Sequence, residues 1–385
     1  MIQPYNVACI QTVIRQVRDP STRNETVREN LYRGIALMEY AAIRFGQPKL
    51  VVLPEFFLTG ADHLHRTVQE WTQVACRIPG PETDALGEVA QEFNMYIAGG
   101  TMEYDPEWPN RWFNSAFIIG PNGNVILKYR KHNGADVQGH TTYSTPSGCY
   151  TDYVAMYGED GLFPVVDTSI GKLACLLCYD MNFPEVARAL ALRGAEILIY
   201  PTGEPYGPHR DAWESSRRTR AYENMAYIIS VNHGAYIGPV GEGQFTDSHY
   251  PLFQERRRSE ISPVFRSHGH SEIVDFEGRV IAVANGPGEA IVQVTVDVGA
   301  LRQRRSEVKH NFLAQLRTEV YAETYDNIEA LPLDHWRTQP VRDRREGAEL
   351  TKNVIQRFLQ QKIYVAPEAT TVQDKGGAGW NRPMS

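Results

Sequence analysis

Residues 171–202 read GKLACLLCYDMNFPEVARALALRGAEILIYPT. An apolar run ends at Cys178 and a short polar turn follows. Residues 182–195 then space their apolar side chains at helical intervals. Asn182 stands at the N-cap position, Pro184 just inside, and Gly194 at the stop. EILIYPT (196–202) is again a buried strand. Strand, helix, strand predicts an α/β protein, in which ligand crevices lie where strands end.

The alternation continues outward from this stretch. VACIQT (7–12) reads as a strand, and 24–45 as a helix carrying Val27, Leu31, Ile35, Met38, Ala42 and Phe45 on one face. LVVLPE (50–55) is a strand, 81–93 a helix and 95–103 a strand. Residues 113–131 and 163–178 read as hairpins, and 209–226 as a helix before a strand at 227–236. EIVDFEGRVIAVA (272–284) and EAIVQVTVD (289–297) are the closing strands. The segment 134–161, rich in Gly, Ser, Thr and Tyr, reads as a long functional loop. These elements place one domain at 1–300 and a C-terminal extension at 301–385, expected in subunit contacts.

Composition excludes several classes. The chain has 385 residues, 42% hydrophobic and 22% charged, which suits a globular protein. A net charge of −7 argues against a nucleic-acid partner. No apolar run has the length of a membrane span, and MIQPYNVACIQT does not read as a signal peptide. The five cysteines, Cys9, Cys76, Cys149, Cys175 and Cys178, are too few and odd in number for a disulfide framework, so a cytoplasmic location is expected.

Cys175 and Cys178 are three apart on an apolar strand, so their side chains face opposite ways, which argues against a redox pair. No further Cys or His stands at zinc-ligand spacing. Cys175 reads as a packed core residue and Cys178 as a nucleophile at a strand end. The backbone N–H of Tyr179 is placed to bind a developing oxyanion, and the helix start nearby favours a thiolate. Two other strands end on reactive groups: LVVLPEFF on Glu55 and VILKYRKHN on Lys131. Carboxylate, ammonium and thiol together form a general base, an oxyanion donor and a nucleophile.

Over roughly residues 5–300 the chain resembles the nitrilase superfamily of carbon–nitrogen hydrolases. The carriers are LPEFFLTG (53–60), KYRKHN (128–133), the 171–202 stretch, RAYENMAYIISVN (220–232) and GHSEIVDFEGRV (269–280). The resemblance implies a four-layer α-β-β-α sandwich, a Glu–Lys–Cys triad at Glu55, Lys131 and Cys178, and a homodimer or higher homo-oligomer. It implies no metal and no organic cofactor.

Many members also carry a second acid between the lysine and the cysteine, usually a glutamate. Here the expected place falls near Asp152, one methylene shorter, with Glu159 as the other candidate. Cys178 is followed by Tyr179-Asp180, which resembles amidases and carbamoylases more than true nitrilases. Carbamoyl-amino-acid hydrolases commonly set an arginine three or four residues after the nucleophile; Met181 and Asn182 stand there instead. The expected substrate is therefore a small uncharged amide. An N-carbamoyl amino acid or ureidopropionate, a nitrile, or acyl transfer to an amine remain alternatives. Tyr206, His209 and Arg210 are candidate pocket residues.

Overall fold

The strands are apolar throughout, yet their two faces meet different layers. In β1 (Tyr5–Gln11), Tyr5, Val7 and Cys9 enter one core cluster while Ala8 and Ile10 enter another. In β8 (Ile197–Pro201), Ile197 and Ile199 share the first cluster with β1, and Leu198 and Tyr200 face a third. Period-two alternation within a continuous apolar run is what a sheet covered on both faces requires. The chain is described here from a computed structural model over residues 2–17, 19–60, 68–134, 143–204, 210–234, 269–340 and 344–367.

Two six-stranded mixed sheets result, ordered β12-β1-β2-β3-β4-β5 and β11-β10-β9-β8-β7-β6. The first joins β1, β2 (Leu50–Val52), β3 (Tyr96–Glu103), β4 (Phe113–Ile119), β5 (Val125–Arg130) and β12 (Ala290–Val296). The second joins β6 (Val165–Thr168), β7 (Gly171–Cys175), β8, β9 (Tyr227–Val231), β10 (Glu272–Val274) and β11 (Val280–Val283). β1, β2 and β3 run parallel, as do β7, β8 and β9. α1 (Arg23–Arg44), α2 (Val68–Val74) and α3 (Pro81–Glu92) cover the first sheet through Val27, Met38, Trp71 and Leu86. On the second sheet lie α5 (Pro184–Leu192) and α6 (Arg210–Asn224), through Val186, Leu190 and Ala221. The architecture is the expected α-β-β-α sandwich.

Several boundaries differ from the expectation. The 134–161 segment, described at 134 and over 143–161, carries α4 (Tyr150–Tyr157) between short 3-10 turns at Ser147–Cys149 and Glu159–Gly161. Tyr153 packs there with Trp108, Phe113 and Cys149, so tertiary contact overrides a turn-rich composition. The 272–284 run is two strands folded at Gly278 (φ 76°). α5 starts after Phe183, because Asn182 closes a 3-10 turn that begins at Cys178. α7 (Val298–Ser306) spans residue 300, and its Val298 and Leu301 sit in the inter-sheet core.

The extension is fastened to the domain at several points. Phe312 and Leu313 pack against the inter-sheet core. The Asp334 carboxylate accepts from the N–H and hydroxyl of Thr151, and Arg111 donates to the carbonyls of Trp336 and Arg337. α8 (Thr318–Asp326) buries no residue, and α9 (Arg344–Gln360) follows it.

Candidate active site

β2, β5 and β7 bring Glu55, Lys131 and Cys178 to one end of the sandwich. Lys131 Nζ lies 3.1 Å from Glu55 Oε1, and Asn114 Nδ2 donates to the same oxygen at 2.7 Å. Glu55 and Lys131 are almost wholly buried. Lys131 continues the β4–β5 ladder, its N–H donating to the Asn114 carbonyl. Just before it, the Arg130 guanidinium is clamped by Glu103 through Nε and Nη2, both at 2.8 Å, and stacks over Phe113. That clamp fixes β5 one residue from the ammonium.

β7 ends at Cys175, whose side chain lies in the inter-sheet core, and Leu176 and Leu177 are buried beyond it. Cys178 opens the following turn with φ 39°, a strained conformation for a non-glycine residue. The wholly buried Asp180 carboxylate holds this turn to the lysine segment. It accepts from the Leu177 N–H, the Tyr129 hydroxyl and the Asn133 N–H. Met181 is buried under α5 and Asn182 turns back to the Tyr179 carbonyl.

Of the five free cysteines only Cys178 is not buried. The surrounding protein nevertheless pushes its thiol up to about 12, and the Glu55 carboxylate adds to the rise; Lys131, the Gly203 N–H and the Thr202 hydroxyl act in the opposite direction. Burial thus favours the protonated thiol, where the sequence reading favours a thiolate. Burial works against charge on Lys131, but the sulfur of Cys178 when ionised and the facing Glu55 carboxylate outweigh it and raise the ammonium well above its ordinary range. Lys131 is therefore a standing cation next to the sulfur and the carboxylate.

The remaining candidates lie elsewhere. Asp152, on α4, pairs with Arg337 of the extension at 2.9 Å. Glu159 is exposed in its 3-10 turn. Neither makes a hydrogen bond or ion pair with Glu55, Lys131 or Cys178. Arg210 starts α6 and pairs with Glu214 and His270. Tyr206 and His209 lie outside the described residues.

The structure adds groups that sequence reading passed over. His233 Nε2 is 2.6 Å from the Glu55 carbonyl oxygen. A Cβ on Gly203 would come within 3.2 Å of Glu55 Oε2 and 3.4 Å of the His233 ring, so glycine keeps that space open. Glu204 is buried next to Tyr200 and Thr202, two residues beyond a strand-end threonine. A carboxylate just past a buried strand is the signal that identified Glu55, and YPTGE carries it too. Among the described residues no group of three His, Cys, Asp or Glu side chains is arranged to hold a metal ion.

Two sheets in this order, with an acid, a lysine and a cysteine converging at their strand ends, define a nitrilase-type sandwich. Residues 6–306 match the carbon–nitrogen hydrolase family, and the chain belongs to it. Formamidases from Bacillus thuringiensis (strain Al Hakam) and Bacillus anthracis are each 37% identical over 201 residues, 51% of this chain and 54% of theirs. The chain thus spans about half the length of the curated relatives it matches. Among solved structures, Saccharomyces cerevisiae Nit3, of the nitrilase superfamily, has TM-score 0.58 at 24% identity, over 80% of this chain and 95% of that one. A carbon–nitrogen hydrolase from Helicobacter pylori has TM-score 0.62 at 21% identity, over 84% and 99%. An amidase from Nesterenkonia has TM-score 0.55 at 19% identity, over 84% and 97%.

Proposed function

We propose that this chain is a cysteine-dependent hydrolase that cleaves the carbon–nitrogen bond of a small uncharged amide, giving a carboxylic acid and ammonia. The observation that carries the reading is the buried Glu55–Lys131 contact facing the thiol of Cys178. With the thiol protonated at rest, a base is needed. Glu55 takes the proton as sulfur attacks the amide carbon. Lys131 and the Tyr179 N–H stabilise the oxyanion; losing one such donor typically costs about 3–4 kcal/mol of barrier. The intermediate collapses, the C–N bond breaks, and ammonia leaves with the proton returned by Glu55. Glu55 then deprotonates water, which attacks the thioester; the acid departs and the sulfur regains a proton from Glu55.

Two positions after the nucleophile support a neutral substrate. Met181 is buried in the helix–sheet core and Asn182 is bonded to its own turn, so neither position meets a carboxylate with positive charge. A buried unpaired carboxylate costs several kcal/mol. The kcat/KM of a neutral amide should exceed that of an N-carbamoyl amino acid of similar size by roughly a hundredfold, since about 1.4 kcal/mol is tenfold. Equal or reversed values place the protein among the carbamoylases and make Arg210 the first residue to mutate. The five unpaired thiols suit a reducing compartment, which supports a cytoplasmic location. Among the described residues no helix is long and apolar enough to cross a membrane.

A further inference from the structure

Tyr200, near the end of β8, is wholly buried. Its hydroxyl oxygen lies 2.8 Å from the Cys178 carbonyl oxygen and 2.9 Å from Glu204 Oε1. A phenol has one proton and serves one of these acceptors at a time. Arg217, on α6, donates from Nη1 to both oxygens of Glu204 at 2.8 and 2.7 Å, and its Nε reaches Glu272. Glu204 Oε1 already accepts from Arg217 and from the Thr202 hydroxyl, which leaves the phenol proton available to the Cys178 carbonyl.

That carbonyl shares a planar trans peptide with the Tyr179 N–H, and the two point in opposite directions. Holding one aims the other. The peptide follows a residue at φ 39°, a sparsely occupied conformation that persists only when its surroundings enforce it. Tyr200 acts from the second sheet, across a contact that spans 22 residues of sequence.

We propose that Tyr200 is a positioning residue for the reaction: by donating to the Cys178 carbonyl, it aims the Tyr179 N–H at the oxyanion of the substrate. The inference rests on Cys178 being the nucleophile. It assigns a catalytic consequence to the buried Tyr200–Glu204–Arg217–Glu272 chain, which touches no reacting atom.

The test is Tyr200→Phe, which keeps the ring and removes the donor; Glu204 retains Arg217 and Thr202 as partners. Tyr200→Leu is the second variant, with the same expected outcome. Two rates are compared on the full chain: hydrolysis of a small neutral amide, and modification of Cys178 by methyl methanethiosulfonate. The second reaction joins two sulfurs, expels methanesulfinate and forms no tetrahedral oxyanion on carbon. The expected result is a fall in kcat of roughly tenfold to a hundredfold, less than the full loss of an oxyanion donor, with KM and the modification rate within about twofold of wild type. A kcat within about twofold of wild type overturns the inference. So does an equal fall in both rates, which would mean that the sulfur itself has moved. A wild-type protein inert toward amides sinks the amide-hydrolase reading and this inference with it; an active wild type with undiminished variants sinks the inference alone.

Discussion

At the scale of single residues, two cysteines three apart have opposite surroundings. Cys175 faces the inter-sheet core while Cys178 opens a strained turn beside Lys131. Cys178→Ala should abolish amide hydrolysis with the fold retained, and Cys175→Ala should keep most activity; near-native kcat in the first variant contradicts the assignment. The raised Cys178 pKa has a direct consequence. A thiol shifted upward from 9.0 toward about 12 is protonated at neutral pH, and its thiolate fraction grows about tenfold per pH unit until that value. Modification of the resting enzyme by methyl methanethiosulfonate should therefore keep accelerating beyond pH 9, about the ordinary thiol value. A plateau below neutrality would mean a resting thiolate and no need for a base. The grouping of Glu55, Lys131 and Cys178 was legible in the sequence because each is a reactive group where an apolar strand stops. Asn114 and Tyr200 were not, since within a strand they are spaced like any core residue. Their contacts to Glu55 and Cys178 are made only after folding.

At the scale of elements, the reactive ends are only as rigid as the strands behind them. β5 is held by the wholly buried Glu103, which accepts from Arg130, Lys128 and Ser115. Burial pushes the Glu103 carboxyl up, but Arg130 and Lys128 together bring it below its ordinary value. Removing one partner of a buried pair typically costs about 3–5 kcal/mol, so Arg130→Met should lose stability on that scale in urea denaturation. A loss below about 1 kcal/mol, the size of an exposed pair, would show that Lys128 suffices alone. The sign of the pH effect is set by the lowered carboxyl. Its contribution is complete above the ordinary value of 4.5 and declines as acid protonates the native group, so the gap between wild type and Arg130→Met should narrow below that pH. Periodicity located most strands and helices, because each buries a regular face. α4 escaped it: Tyr153, Tyr157 and Phe113 assemble around Arg130, a grouping that local sequence does not encode.

At the scale of the whole molecule, two stacked sheets put the candidate site at their shared strand ends, while the extension travels over the outside. Part of its apolar content is used within the chain, with Phe312 at the core margin and Trp336 seated against Gly148. Val320, Tyr321, Tyr325, Leu331 and Leu333 remain exposed. A set that large is unusual on an isolated protein, and it motivates the proposal that the extension joins subunits. Truncation after Ser306 should lower the assembly state or solubility. An unchanged sedimentation behaviour relative to mass, with an unchanged melting point, would remove the extension from assembly. The extension's path was not legible in the sequence, because Asp334, Trp336 and Arg337 find partners on α4 and its neighbours through single contacts rather than a periodic face. The central claim is that a small amide passes its acyl group to Cys178. The most direct measurement is intact-mass and peptide mass spectrometry of the enzyme quenched in acid during turnover of a small neutral amide. The account predicts a mass increase of one acyl group on the peptide carrying Cys178, absent in Cys178→Ala. Ammonia release that persists in Cys178→Ala, with no adduct on the wild-type protein, would contradict it.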